Sequence, residues 1–104
     1  TGYNCAWHHI KYIQNWNDLL TDYIDWDVVF IDNRPGVSRR ELATRLQDKA
    51  QYILLHDSEP EQNRFFGYQK IYPHFKHVYQ YTKTKPNTAV LSNYRDLSFL
   101  YEKV

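Results

Sequence analysis

Val28-Val29-Phe30-Ile31-Asp32 and Tyr52-Ile53-Leu54-Leu55-His56-Asp57 are the two stretches on which the reading of this chain turns. Each is an apolar run ending in an acid. A strand apolar at successive positions is expected to be buried on both faces, which implies a parallel sheet covered by helices. Between the runs, Ser38-Arg39-Arg40-Glu41 has the capping-box pattern, with Ser38 as N-cap and Glu41 three residues on. Leu42, Ala43, Leu46 and Ala50 form the inward stripe of the helix that this pattern starts. Strand, helix and strand with short links make a βαβ unit, whose crossover is expected to be right-handed. Ligands of such sheets collect beyond the carboxyl ends of the strands. Asp32, His56 and Asp57 fall there.

Working outward, 9–14 alternates and reads as a short strand, followed by Asn15 as a helix cap. Trp16, Leu19, Leu20, Tyr23 and Ile24 then recur at helical spacing. Asn33-Arg34-Pro35-Gly36 is turn chemistry. After the second run comes a polar loop, Ser58 to Asn63, and then a helix expected over Phe65 to Tyr72, stopped by Pro73 and weakened by Gly67. Two β-rich runs, His77 to Thr82 and Thr88 to Asn93, are joined by only five residues, so they must be antiparallel neighbours. A helical turn is expected over Asp96 to Tyr101.

The chain has 104 residues, enough for one modest domain. Apolar residues make up 42% and aromatic ones 17%, so much of the burial must come from rings with polar tips. Thirteen Lys plus Arg against twelve Asp plus Glu leave a net charge of +1, which gives no general electrostatic case for nucleic acid or an anionic membrane. The single cysteine, Cys5, excludes an internal disulfide and suits a reducing, cytoplasmic setting. No apolar run approaches the ~20 residues that span a bilayer. With no methionine anywhere, the chain is expected to be a piece of something longer.

The element order, with Trp26 to Gly36, Ile53 to Glu59, Phe66-Gly67-Tyr68, Lys76 to Tyr81 and Thr88 to Asn93, resembles the C-terminal portion of class I S-adenosylmethionine-dependent methyltransferases. Within that family it is similar to a subgroup containing enzymes that methylate sugar hydroxyls. The resemblance covers the chain from about His9 onward. It implies an α/β fold, a partial Rossmann-like methyltransferase sheet, mostly parallel and closed by a C-terminal antiparallel strand pair. Residues 1–104 would be a single partial domain. The family's glycine-rich cofactor loop has no counterpart, because the only glycines are Gly2, Gly36 and Gly67. The implied first two strands and that loop would therefore lie outside the chain. Their absence would bare the edge of the 27–31 strand, offering it to a protein partner or to the missing N-terminal segment.

The resemblance also implies roles. Asp32 would face the reacting centre, and Asp32 with Asp57 would hold a divalent cation such as Mg²⁺, which takes oxygen ligands. His56 is the candidate general base, since an imidazole titrates near neutral pH. Asn15, Trp16 and Asp32 would neighbour S-adenosylmethionine. The plainer alternatives are that Asp32 and Asp57 bond backbone amides in the turns after their strands, and that Asn15 and Trp16 are only a cap and a core residue. Arg34, Arg39 and Arg40 surround a helix N-terminus, where cations oppose the helix dipole; they suit an anionic or polyhydroxylated ligand over the strand ends, or equally pairing with Glu41, Asp57 or Glu59, and surface charge is the commoner explanation. Tyr68, Tyr72, Tyr79, Tyr81 and Tyr94 can line a sugar cleft or fill the core. No zinc pattern, nucleophile elbow or P-loop is present. The expected function is the substrate half of an O-methyltransferase acting on a hydroxyl, that of a glycan by preference. The alternatives are a non-catalytic protein-interaction module on the same scaffold and an unrelated α/β domain binding a metal or anion.

Overall fold

The computed structural model describes residues 25–34, 36 and 38–103. The expected strand at 9–14, its helix, and the candidates Asn15 and Trp16 lie outside the described residues. The first apolar run forms β1 (Trp26–Ile31), and the capping-box sequence opens α1 (Ser38–Leu46). The second run forms β2 (Ala50–His56). A 3-10 turn (Pro60–Gln62) leads into the short α2 (Asn63–Phe66), and further 3-10 turns cover Tyr68–Lys70 and Tyr72–His74. The hairpin strands are β3 (His77–Tyr81) and β4 (Thr88–Ser92), and α3 (Ser98–Lys103) follows.

The four strands make one mixed sheet in the order β1-β2-β4-β3. β1 and β2 are parallel, with Ile31 opposite Leu55. β4 lies antiparallel between β2 and β3. Only one adjacent pair is therefore parallel, although β3 runs in the same direction as β1 and β2. The interior place goes to the second hairpin strand because it is the more apolar of the two. Its Ala89 and Leu91 are fully buried, whereas β3 carries His77 and Gln80 to the edge.

The core lies on one face. Ile31, Ile53, Leu55, Ala89 and Leu91 meet Leu42, Ala43 and Leu46 of α1, together with Tyr68, Ile71 and Phe75 from the turns. Burying each large aliphatic side chain contributes about 1.5–3 kcal/mol. On the other face the Tyr101 ring of α3 stands edge-on to Tyr79 of β3, 4.7 Å between centroids.

Two expectations are corrected. β1 is not buried on both faces: Val28 is 57% and Phe30 55% exposed, because β1 is an edge strand of the described sheet and α1 covers only its other side. The helix expected over Phe65 to Tyr72 is broken at Gly67. That residue takes a left-handed φ of 66° and caps α2, and a Cβ there would sit 3.0 Å from Arg40 Nε. Glycine reaches that conformation without steric cost and so stops the helix. No helix among the described residues is long and apolar enough to cross a membrane.

Candidate functional site

Asp32 follows directly on β1 and Asp57 on β2. Because the strands are parallel and in register, both acids leave the sheet at the same end. His56, the last residue of β2, lies between them, its Nδ1 being 3.1 Å from Asp32 Oδ1 and 3.1 Å from Asp57 Oδ2. Asp57 has a left-handed φ of 62°. Aspartate tolerates that conformation better than most residues, at a cost of roughly 1–2 kcal/mol. One donor atom from each of the three side chains falls within 4.8 Å of the others. Asp32, His56 and Asp57, separated by up to 25 positions in sequence, are thus brought together.

Arg39 gathers them. Its side chain is only 6% exposed. Nη2 donates to Asp32 Oδ1 at 3.2 Å, and Nη1 donates to Asp57 Oδ2 at 3.3 Å, the His56 carbonyl at 3.1 Å and Tyr68 Oη at 3.2 Å. Nε donates to the Asn33 carbonyl at 3.0 Å. The guanidinium therefore ties the turn after β1, the end of β2 and the 3-10 turn at Tyr68 to the first turn of α1. Its face stacks on the Phe66 ring, 4.3 Å from the centroid. Phe66 in turn requires Gly36, since a Cβ there would come within 2.5 Å of the ring.

The His56 ring faces both carboxylates through one nitrogen. Both carboxylate oxygens are within hydrogen-bonding distance of Nδ1, yet the atom is buried and neither oxygen lies on a well-directed N–H line. A ring nitrogen equidistant from two anionic oxygens cannot present its lone pair to both without repulsion. A proton on Nδ1, facing the two carboxylates, relieves that repulsion. The His56 ring also lies edge-on to the exposed Phe30 ring, 5.8 Å between centroids.

Tyr68 closes the site from below, its hydroxyl donating to the His56 carbonyl at 2.8 Å. Burial pushes its pKa up, nearby Asp57 and Tyr72 add to that, and Arg39 opposes it. Burial also raises the pKa of Tyr72. For Arg39, burial works to lower the pKa, but the bonds to Tyr68 and Asp57 and the charge of Asp32 outweigh it, and the net shift is upward. A tyrosine whose folded pKa exceeds its unfolded value of about 10 contributes its full stability below that pH and loses it as pH rises through the folded value. Stability is therefore expected to fall above about pH 10. Urea midpoints measured from pH 8 to 11 should fall less steeply in a Tyr68→Phe/Tyr72→Phe double variant than in the parent; equal slopes would refute this origin.

The loop carrying Asp57 is pinned to the hairpin. Ser58 N donates to the Asn87 carbonyl at 3.0 Å, and Asn87 N donates to Glu59 Oε1 at 2.8 Å. On the other side, Asn33 Nδ2 donates to the Ser38 hydroxyl and fixes the turn after β1.

Asp32 and Asp57 pair through their side chains with Arg39 and His56. Arg39 is the residue that sequence reasoning undervalued. A cation in the first turn of a helix, opposing the dipole, needs compensation, and two acids at neighbouring strand ends supply it. Arg34 is the exposed member of the trio. Among the tyrosines, Tyr68 and Tyr79 are core residues and Tyr94 is exposed. Comparison with protein-family models, with curated proteins and with solved structures found no match for this chain.

Proposed function

We propose that the chain is the substrate-side half of an S-adenosylmethionine-dependent O-methyltransferase acting on a hydroxyl group, with a glycan as the preferred acceptor. One observation carries the reading: two carboxylates and an imidazole converge at the carboxyl ends of a parallel strand pair, held by one buried arginine. In open α/β sheets this is the end at which ligands bind. The strand order is a second support, since an antiparallel strand inserted beside the parallel pair agrees with the closing strand pair that the resemblance implies.

The chemistry follows from the side chains. With a proton on Nδ1, on the side of Asp32 and Asp57, His56 keeps the Nε2 lone pair to accept the acceptor hydroxyl's proton. The two carboxylates then stabilise the imidazolium, and Arg39 keeps them in place without taking part. S-adenosylmethionine supplies an activated methyl group, so the protein's remaining task is to align oxygen and methyl carbon. Room for the donor lies in the groove between β1 and α1, lined by Val29, Ile31, Asp32, Asn33 and Leu42. Asn15 and Trp16 are assigned to the donor by the resemblance alone.

A divalent cation is compatible with this donor set. Asp32 and Asp57 would hold it through oxygen, as Mg²⁺ prefers, and it would supply Lewis acidity to the hydroxyl. Arg39 already gives the same two carboxylates a positive partner, so the cation is an addition to the cluster and not its foundation.

A second reading, a non-catalytic interaction module, is favoured by one observation: Val28 and Phe30 are apolar and exposed on an edge strand. The chain alone is expected to turn over negligibly, because the resemblance puts half of the donor pocket in the missing glycine-rich segment, so methyl-labelled S-adenosylmethionine, offered with neutral and acidic polysaccharides to the chain with and without that N-terminal segment, separates the two. Donor binding by calorimetry together with label transfer to a glycan hydroxyl supports the enzyme. A concentration-dependent increase in size without donor binding supports the module and refutes the enzyme.

A further inference from the structure

A trough unrelated to the acid cluster runs along the outer side of α1 and past the 3-10 turns. Two adjoining depressions form it and share His74. One is bordered by Arg40, Arg45 and Lys70, and the other by Lys76 and Tyr94. Its floor includes the core residues Ile71 and Phe75.

The charge is one-sided. Four permanent cations line the trough against two carboxylates, Glu41 and Asp48. That local excess is larger than the net charge of the whole chain, +1. Among the described residues, the side chains of Arg40, Lys70 and Lys76 enter no ion pair, and Arg40 Nε is buried without a hydrogen-bond partner.

The far end has a different character. Asn93 accepts from Lys76 N at 2.8 Å and donates to the Gln47 carbonyl at 3.3 Å, and Tyr94 Oη donates to the Asp48 carbonyl at 2.7 Å. These bonds fix the wall and leave the Tyr94 ring 52% exposed. A fixed aromatic face beside amides suits the apolar face and hydroxyls of a pyranose, while the cations suit carboxylate or sulfate groups along the same polymer.

We propose that this trough binds an acidic polysaccharide, holding anionic segments of the acceptor away from the reacting hydroxyl. The inference rests on the glycan reading above but is tested without methyl transfer. The probes are heparin, which is sulfated, and polygalacturonate, which is carboxylated, with neutral dextran and oligothymidylate as controls, titrated calorimetrically at two salt concentrations.

Binding of at least one acidic glycan is expected, weakening with salt. It should fall about tenfold or more in a Lys70→Glu/Lys76→Glu variant, and stay within about twofold of the parent in Lys83→Glu/Lys85→Glu, which reverses the other basic pair, at the hairpin tip. Whichever acidic probe binds tighter identifies the anionic group. The proposal is overturned if neither acidic glycan binds, if the hairpin variant loses as much affinity as the trough variant, or if oligothymidylate binds more tightly than both glycans. Label transfer to a neutral glycan without acidic-glycan binding would remove this inference and leave the methyltransferase reading standing. Trough binding without donor binding would do the reverse.

Discussion

Replacing Arg39 by leucine lowers the thermal unfolding midpoint by roughly 10 °C or more. The guanidinium is buried and makes five hydrogen bonds, two of them to carboxylates. Removing one partner of a buried charge network costs about 3–5 kcal/mol, because the charges left behind stay desolvated. Asp32 is 45% and Asp57 26% exposed, and water re-solvates part of each. A loss of about 2–4 kcal/mol is the realistic range, and in a domain of this size each kcal/mol is worth about 4–8 °C. Arg39→Lys keeps a charge but not the planar fork that reaches both acids, so its midpoint should fall between the two. Thermal scans followed by circular dichroism check this. A leucine variant melting within about 2 °C of the parent would mean that Arg39 does not organise the site.

Asp32→Ala is expected to do the opposite: little to stability and much to chemistry. Its carboxylate is nearly half exposed, and pairs in that setting contribute only about 0–1 kcal/mol. Its proposed work is to fix the His56 ring and stabilise the imidazolium, and positioned proton transfer is worth about 10²–10⁴ in rate. The variant should therefore melt within a few degrees of the parent and, with the glycine-rich N-terminal segment supplied, lose at least about a hundredfold in kcat for label transfer to a glycan. Donor affinity should change less than kcat. Unchanged turnover would remove Asp32 from the mechanism.

Much of this arrangement was legible in the sequence, for identifiable reasons. The two apolar runs and the capping box between them specify a βαβ unit through local signals that tertiary packing reinforces, and β1, α1 and β2 form in that order, except that α1 ends at Leu46 and Ala50, expected in the helix's inward stripe, opens β2. Convergence of the acids followed from strand direction alone. The hairpin was legible because five residues leave no room for a crossover. Its placement was not, since inserting β4 beside β2 depends on which strand has the more apolar inner face. The apolar run of β1 by itself read as buried on both faces, because such a run looks the same in an edge strand as in a central one; only the missing strands of the resemblance pointed to a bared edge. Pairing of the arginine trio with Asp57 was among the readings, but the burial of Arg39 was not legible, because it depends on partners 17, 18 and 29 residues away that no local pattern records. Gly67 carried a local signal, a helix breaker inside a helical pattern, and that signal marked the break.

The central claim is that Asp32, His56 and Asp57 act as one unit in which the imidazole is protonated on Nδ1 and basic at Nε2. Long-range proton–nitrogen correlation spectra of the histidine ring report the tautomer directly. The account predicts that neutral His56 carries its proton on Nδ1, and that this preference is lost in an Asp32→Ala/Asp57→Ala double variant. A His56 ring protonated on Nε2 in the parent protein, with its Nδ1 lone pair towards the carboxylates, would contradict it.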